Sequence, residues 1–221
     1  MANTGSRPVT LRVGGAQLRG TLSVPDPPTG VAVLASGTAQ ARFGTQERSL
    51  VSLCLQSGVA TLVMDLQTPS ESADRTAHTE LMSDRLSAQF DWLDEQDGID
   101  DLDRSLYGFG TGAAAAVEFQ ATTERSADAL ALLNGRMGLV EQTVPDIRLP
   151  MFVFVDERYP HLVDTNLTAY RTAGTDPADK HFLHAASADS LPTVVRWTQN
   201  RDTTVDIGPG SRSRQDERQD V

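Results

Sequence analysis

A single cysteine, Cys54, and a single lysine, Lys180, occur in the 221 residues. One cysteine excludes an intrachain disulfide and any multi-cysteine metal site. Its setting, Leu50-Val51-Ser52-Leu53-Cys54-Leu55, suggests a small hydrophobe on a buried helix and not a reactive thiol. The four histidines, at 78, 161, 181 and 184, show no metal-binding spacing, so neither a metal nor another cofactor is expected. Long apolar runs are missing too. No stretch is long enough to span a bilayer and residues 1–8 lack an apolar signal core, which makes the cytoplasm the expected location. Basic charge is in short supply: 19 Lys and Arg face 30 Asp and Glu, for a net charge of -11. That balance argues against nucleic acid, whose phosphates need cationic neutralisation, and against an anionic membrane surface. The preference for arginine over lysine reads as genome composition or a salty cytoplasm.

What is present is one domain's worth of chain. Two alternating runs, residues 9–13 and 17–24, flank Gly14-Gly15 and read as an antiparallel hairpin. Residues 31–35 are continuously apolar, as expected of a strand buried on both faces. Helices over about 46–57 and 79–95 then alternate with strands over 59–64 and 105–109. Three further strands are read at 129–133, 151–155 and 181–185. A last helix covers about 191–200, with Ser190 as its cap and Pro192 in its first turn. Such alternation gives an α/β fold: a mostly parallel sheet with an N-terminal antiparallel hairpin and helices on both faces. Residues 1–8 are expected to be a flexible N-terminus and 9–200 the single domain. Residues 201–221, acidic and arginine-rich with almost nothing to bury, are expected to be a disordered tail.

Open parallel sheets place ligands beyond the carboxyl ends of their strands. The residues there are Ser36, Thr38 and Arg42; Asp65 and Thr68; Gly110 and Thr111; Asn134 and Arg136; Asp156, Arg158, Tyr159 and His161; and Ser187 and Asp189. The most informative segment is Gly108-Phe109-Gly110-Thr111-Gly112 followed by four alanines. Its spacing is that of a serine-hydrolase nucleophile elbow, a sharp strand-to-helix turn that lifts its central side chain beside an oxyanion hole. Gly110 has no side chain to lift. The same glycines followed by a helix suit an anion on exposed amides at 110–112, with Arg42 or Arg136 as counter-charge. Dinucleotide binding is disfavoured, because the motif does not follow the first strand and Asn134 stands where an acid is needed.

The hairpin, Asp65-Leu66-Gln67-Thr68-Pro69, Phe90-Asp91-Trp92-Leu93, the elbow with its alanines, and Asn134-Gly135-Arg136 together resemble α/β hydrolases of the dienelactone-hydrolase type. The likeness is to a small bacterial and archaeal subgroup sometimes fused to a phosphoribosyltransferase domain, and it runs from about residue 9 to 200. The resemblance implies where the catalytic groups would stand. Active members have Gly-x-Ser-Thr-Gly at the elbow, so the nucleophile position is Gly110. Their His-Gly before the oxyanion loop is Ser36-Gly37 here. Their triad acid falls nearest Tyr159, with Asp156 and Asp164 on either side, and their triad histidine falls at Ala188, beyond the last histidine of this chain.

A serine alcohol is a weak nucleophile without a base to take its proton and an acid to orient that base. The leading expectation is therefore a non-catalytic homologue that binds a small molecule or anion, with Ser36, Thr38, Arg42, Asp65, Gly110, Thr111, Asn134 and Arg136 as candidate contacts. A second is an active hydrolase of small esters or lactones using a rearranged set: Thr111 with His161 or His184, and Asp156. A third is an interaction subunit, such as a homo-oligomer or the support of an active paralogue. On its own, Thr111 reads as the start of a helix, and His184 as a structural histidine directed into the core or toward a helix.

Overall fold

The computed structural model describes residues 4–37, 44–73, 78–123 and 126–200, with the backbone alone for 187–189. The expected tail at 201–221 and the candidates Thr38 and Arg42 lie outside the described residues.

The hairpin forms as its composition requires. β1 (Thr4–Val13) and β2 (Ala16–Pro25) pair antiparallel around Gly14 and Gly15, whose φ values of 55° and 82° give the two positive dihedrals of a tight hairpin turn. β1 starts earlier than its alternation suggests: residues 4–8 pair with β2 from Thr4 opposite Pro25, and Ser6 shares a 3.0 Å hydrogen bond with Ser23. Most of β1 is exposed, so hydropathy carries no trace of that extension. β2 continues antiparallel onto β4 (Val59–Asp65), and from there the sheet is parallel. With β3 (Gly30–Ser36), β5 (Arg104–Phe109), β6 (Ala129–Leu133), β7 (Met151–Asp156) and β8 (Lys180–Ala185), the strand order is β1-β2-β4-β3-β5-β6-β7-β8.

Two apolar layers hold the helices to this sheet. On one face α3 (Thr79–Leu93), α4 (Thr111–Thr122) and α5 (Val163–Thr172) pack on alternate strand residues such as Val33, Leu62, Leu106 and Leu132. On the other, α1 (Thr45–Gln56) and α6 (Ser187–Asn200) cover Leu34, Phe109, Leu133 and Phe154. Cys54 lies inside this second layer with no exposure, and burial pushes its thiol up to about 12. α4 shows almost no polar face over its first two turns, which suits a helix enclosed by its neighbours; Ala113 through Ala116 are fully buried.

Three elements differ from the sequence reading. α6 begins at Ser187, so Pro192 lies inside the helix and Ser190 donates from Oγ to the Ala186 carbonyl at 2.8 Å instead of capping. Burial of Leu191, Val194, Val195 and Trp197 holds the helix across the proline. α5 was not foreseen: Val-Asp-Thr-Asn-Leu-Thr has few strong helix formers, and the helix is held instead by buried Asn166 and Ala169. A five-residue helix, α2 (Pro69–Ala73), follows β4. Among the described residues no helix is long and apolar enough to cross a membrane.

Candidate functional site

β3 has β4 on one side and β5 on the other; the chain leaves β3 for α1 on one face of the sheet and leaves β5 for α4 on the other. The carboxyl ends of β3 and β5 thus form the switch point at which an open sheet leaves a crevice. The elbow occupies that point. Gly110 follows β5 with φ 55° and ψ −116°, a strained combination for any residue with a side chain, and α4 begins at Thr111. The apex is fixed on both sides: the Gly110 amide donates to the Leu133 carbonyl at 3.1 Å, and the Arg136 amide donates to the Gly110 carbonyl at 3.0 Å.

The three elbow glycines meet different surroundings. A Cβ on Gly108 would lie 2.4 Å from Ala113 Cα, and one on Gly112 would lie 2.3 Å from the Ala35 carbonyl oxygen. Backbone approach dictates both positions. Among the described residues, a Cβ on Gly110 would meet nothing within 4 Å, so they leave the apex room for a side chain, and it carries none.

Above it is an open crevice of about 430 Å³. Ser36 and Gly37 border it from β3, Gln46 and Glu47 from α1, Gly110 and Thr111 from the elbow, Asn134 and Arg136 from the end of β6, and Tyr159 and His161 from the loop after β7. Its polar wall is cross-linked. Ser36 Oγ donates to Glu47 Oε1 at 3.1 Å, and Asn134 Nδ2 to Gln46 Oε1 at 3.3 Å. Asn134 Oδ1 accepts the Asp156 amide at 2.7 Å. Asn134 takes a φ of 51°, a left-handed conformation that asparagine tolerates, and this turns its amide between β6 and β7.

A second cavity of about 950 Å³ adjoins the first between α1 and α6, and shares Gln46, Glu47 and Tyr159 with it. Asp156 lies at its base, 1% exposed, and Arg158 neutralises it. Oδ1 accepts the Arg158 amide at 2.8 Å and Nε at 3.0 Å, while Oδ2 accepts Nη2 at 2.8 Å. The hydrogen bonds to Asp156, ahead of its charge, raise the Arg158 pKa.

Most sequence candidates converge here, with definite exceptions. Ser36, Gly110, Thr111, Asn134, Arg136, Tyr159 and His161 border the elbow crevice. Asp65 does not, because β4 lies beyond β3 on the side away from β5. Thr111 is one residue past the apex, packed where a Gly37 Cβ would lie 2.6 Å from its own Cβ. Ala188 falls in the first turn of α6. His184 is exposed on the edge strand β8 opposite Val155, and is neither a core histidine nor a crevice residue. The packed histidine is His181, with ring centroids 5.9 Å from Phe152 and 5.5 Å from Trp197; burial lowers its pKa. Gln46 and Glu47 are polar crevice residues absent from the candidate set. They lie in the first turn of a helix, beyond the strand-end loop, and only that turn's orientation toward the carboxyl edge marks them. Among the described residues no group of three or more His, Cys, Asp or Glu side chains could hold a metal ion.

This geometry has solved counterparts. The dienelactone hydrolase of Anabaena variabilis superposes with a TM-score of 0.76 over 88% of this chain and 96% of its own, at 25% identity. An esterase of Pyrococcus furiosus superposes with a TM-score of 0.73 over 91% of each chain at 12% identity, a likeness of fold alone. Among curated sequences, Mycobacterium tuberculosis proteins bearing the provisional description phosphoribosyl transferase are 29% identical over 163 residues, 73% of this chain. The chain spans only 37% of the length of those relatives. No family model matches the sequence. The strand order, the elbow after β5 and the structural neighbours agree: the chain has an α/β-hydrolase fold of the dienelactone-hydrolase-like kind.

Proposed function

We propose that this chain is a non-hydrolysing homologue of the dienelactone hydrolases that holds a small polar ligand in the crevice above Gly110. The observation that carries the reading is the apex itself: an elbow whose backbone turn and close-packed outer glycines persist, over open space, around a residue with no nucleophile. Acyl transfer on this fold needs an alcohol or thiol at that point, a base within hydrogen-bonding reach and an acid to orient the base. Of the four histidines, His161 alone borders the crevice. The carboxylate best placed to orient a base, Asp156, is engaged by Arg158. Thr111 opens α4 in contact with Gly37 and does not stand on the apex. The crevice is accessible, and its largely apolar lining carries hydrogen-bonding groups from five separate segments, as binding sites for small molecules require.

Hydrolysis of p-nitrophenyl butyrate tests this. The purified chain is expected to turn the ester over no faster than buffer between pH 6 and pH 9, and Thr111→Ala is expected to behave identically. Turnover above buffer that disappears in Thr111→Ala would favour the rearranged set of Thr111, His161 and Asp156.

A further inference from the structure

We propose that the elbow crevice and the cavity between α1 and α6 form one cleft for a polyhydroxylated ring of the monosaccharide class, neutral or amine-bearing, with Glu47 as hydrogen-bond acceptor and Tyr159 as stacking face. The inference rests on the reading of the crevice as a ligand site. Its premise is continuity: Gln46, Glu47 and Tyr159 border both compartments, so a molecule seated at their junction meets these three side chains.

The chemistry of the shared wall selects the occupant. An active hydrolase must stabilise negative charge on a developing oxyanion beside its elbow. Here a carboxylate, Glu47, borders the crevice above the elbow and is held by Ser36 Oγ at 3.1 Å. An ionised carboxylate only accepts hydrogen bonds, so the partner it favours is a hydroxyl or an ammonium group, and a second anion is repelled. The larger compartment repeats this preference. Thr45, Ser49 and Ser52 recur at helical spacing along α1 and border it, giving one hydroxyl-bearing helix face. Among the described residues its bordering cation, Arg158, is engaged with Asp156, and Glu157 adds a further carboxylate. Arg136 lies at the outer, exposed rim of the elbow compartment, where solvent weakens its pull on an anion.

Tyr159 supplies the apolar contact that such a ring needs. Its side chain stays 38% exposed at the junction of the two compartments, and its amide donates to the Asp156 carbonyl at 2.8 Å, which fixes the turn that presents it. Arg158 lies over one face of its ring, 5.7 Å from the centroid, and His161 meets the ring edge-on at 6.2 Å between centroids. The face turned away from Arg158, beside acceptor groups such as Glu47, suits the C–H face and hydroxyl rim of a sugar ring.

Calorimetric titration of the intact chain with D-glucose, D-glucosamine and D-glucuronate tests the proposal, each variant being first shown to melt like the parent. Glucose and glucosamine are expected to bind saturably, and glucuronate at least tenfold more weakly. Tyr159→Ala is expected to abolish binding and Tyr159→Phe to retain it. Glu47→Gln is expected to weaken glucosamine about tenfold, the factor set by losing one charge-assisted hydrogen bond, and to narrow the gap between glucose and glucuronate. The proposal is overturned if neither glucose nor glucosamine binds, if glucuronate binds as tightly as glucose, or if Tyr159→Ala and Glu47→Gln leave the affinities unchanged. Failure of the non-hydrolytic reading would register separately, as ester turnover by a chain whose sugar binding is intact.

Discussion

Gly108 and Gly112 are needed for what they lack, a Cβ that would collide with Ala113 and with the Ala35 carbonyl, whereas among the described residues Gly110 meets no such neighbour and is constrained by its dihedral angles. Substitution should therefore separate the three. Gly112→Ala forces backbone apart between β3 and α4 and is expected to cost about 1–3 kcal/mol, lowering the melting temperature by several degrees in a thermal scan. Gly110→Ser meets open space and bears only the cost of a positive φ, about 1 kcal/mol. The Gly110→Ser protein is expected to stay folded and still fail to hydrolyse p-nitrophenyl butyrate, because Asp156, the acid that would orient a base, is engaged by Arg158. The glycine at the apex could be found from the sequence since elbow spacing depends on close-packed glycines that spell themselves out as Gly-x-Gly-x-Gly. His184 could not be placed, because alternation along an edge strand does not say which face a side chain occupies. Its neighbour three residues earlier, His181, took the packed position.

At the scale of elements, the loop after β4 is held by an ion pair that no periodicity announces. Arg85 on α3, 2% exposed, donates to the Leu66 carbonyl at 2.7 Å and to both oxygens of Glu71 on α2, at 2.6 and 2.8 Å. The Arg85 hydrogen bond is the main reason that the Glu71 carboxyl falls from 4.5 to about 2. A carboxyl with a depressed folded pKa adds stability that is complete above its unfolded value and disappears as pH falls through the folded one. Glu71 thus stabilises the fold above about pH 4.5, and that contribution is lost between 4.5 and 2. Burial of His181 acts earlier, because a histidine held neutral in the folded state loses stability as pH drops below its ordinary 6.5. Denaturant titrations across pH are expected to show both declines in the parent, and Glu71→Gln should flatten the one below pH 4.5 while lowering stability at pH 7 by about 2 kcal/mol. α1 gives a simpler expectation. With Cys54 fully buried and its thiol raised to about 12, a disulfide reagent at pH 8 should leave the native protein unmodified and titrate one thiol after unfolding. The burial of Cys54 was legible because the run around it is apolar. α5 was not, because its stability comes from Asn166 and Ala169 meeting other parts of the chain.

Over the whole molecule, strand-helix alternation sufficed to foresee a parallel sheet behind an antiparallel hairpin, since parallel strands need crossovers and a diglycine turn closes a hairpin. The crevice was legible only by half. Residues just after strands, such as Ser36, Asn134 and Tyr159, can be counted from the apolar runs before them. Gln46 and Glu47 reach the same space from the first turn of α1, and Arg158 turns back onto Asp156, both consequences of three-dimensional closure. Beside the glycine apex, which the sequence spells out, these contacts add an acid engaged by Arg158 and a carboxylate, Glu47, on the crevice wall. Intact-mass spectrometry after exposure of the purified chain to a fluorophosphonate probe tests the non-hydrolysing reading most directly. An unchanged mass is the predicted result, and a stoichiometric adduct on Thr111 or on any serine bordering the crevice would contradict it.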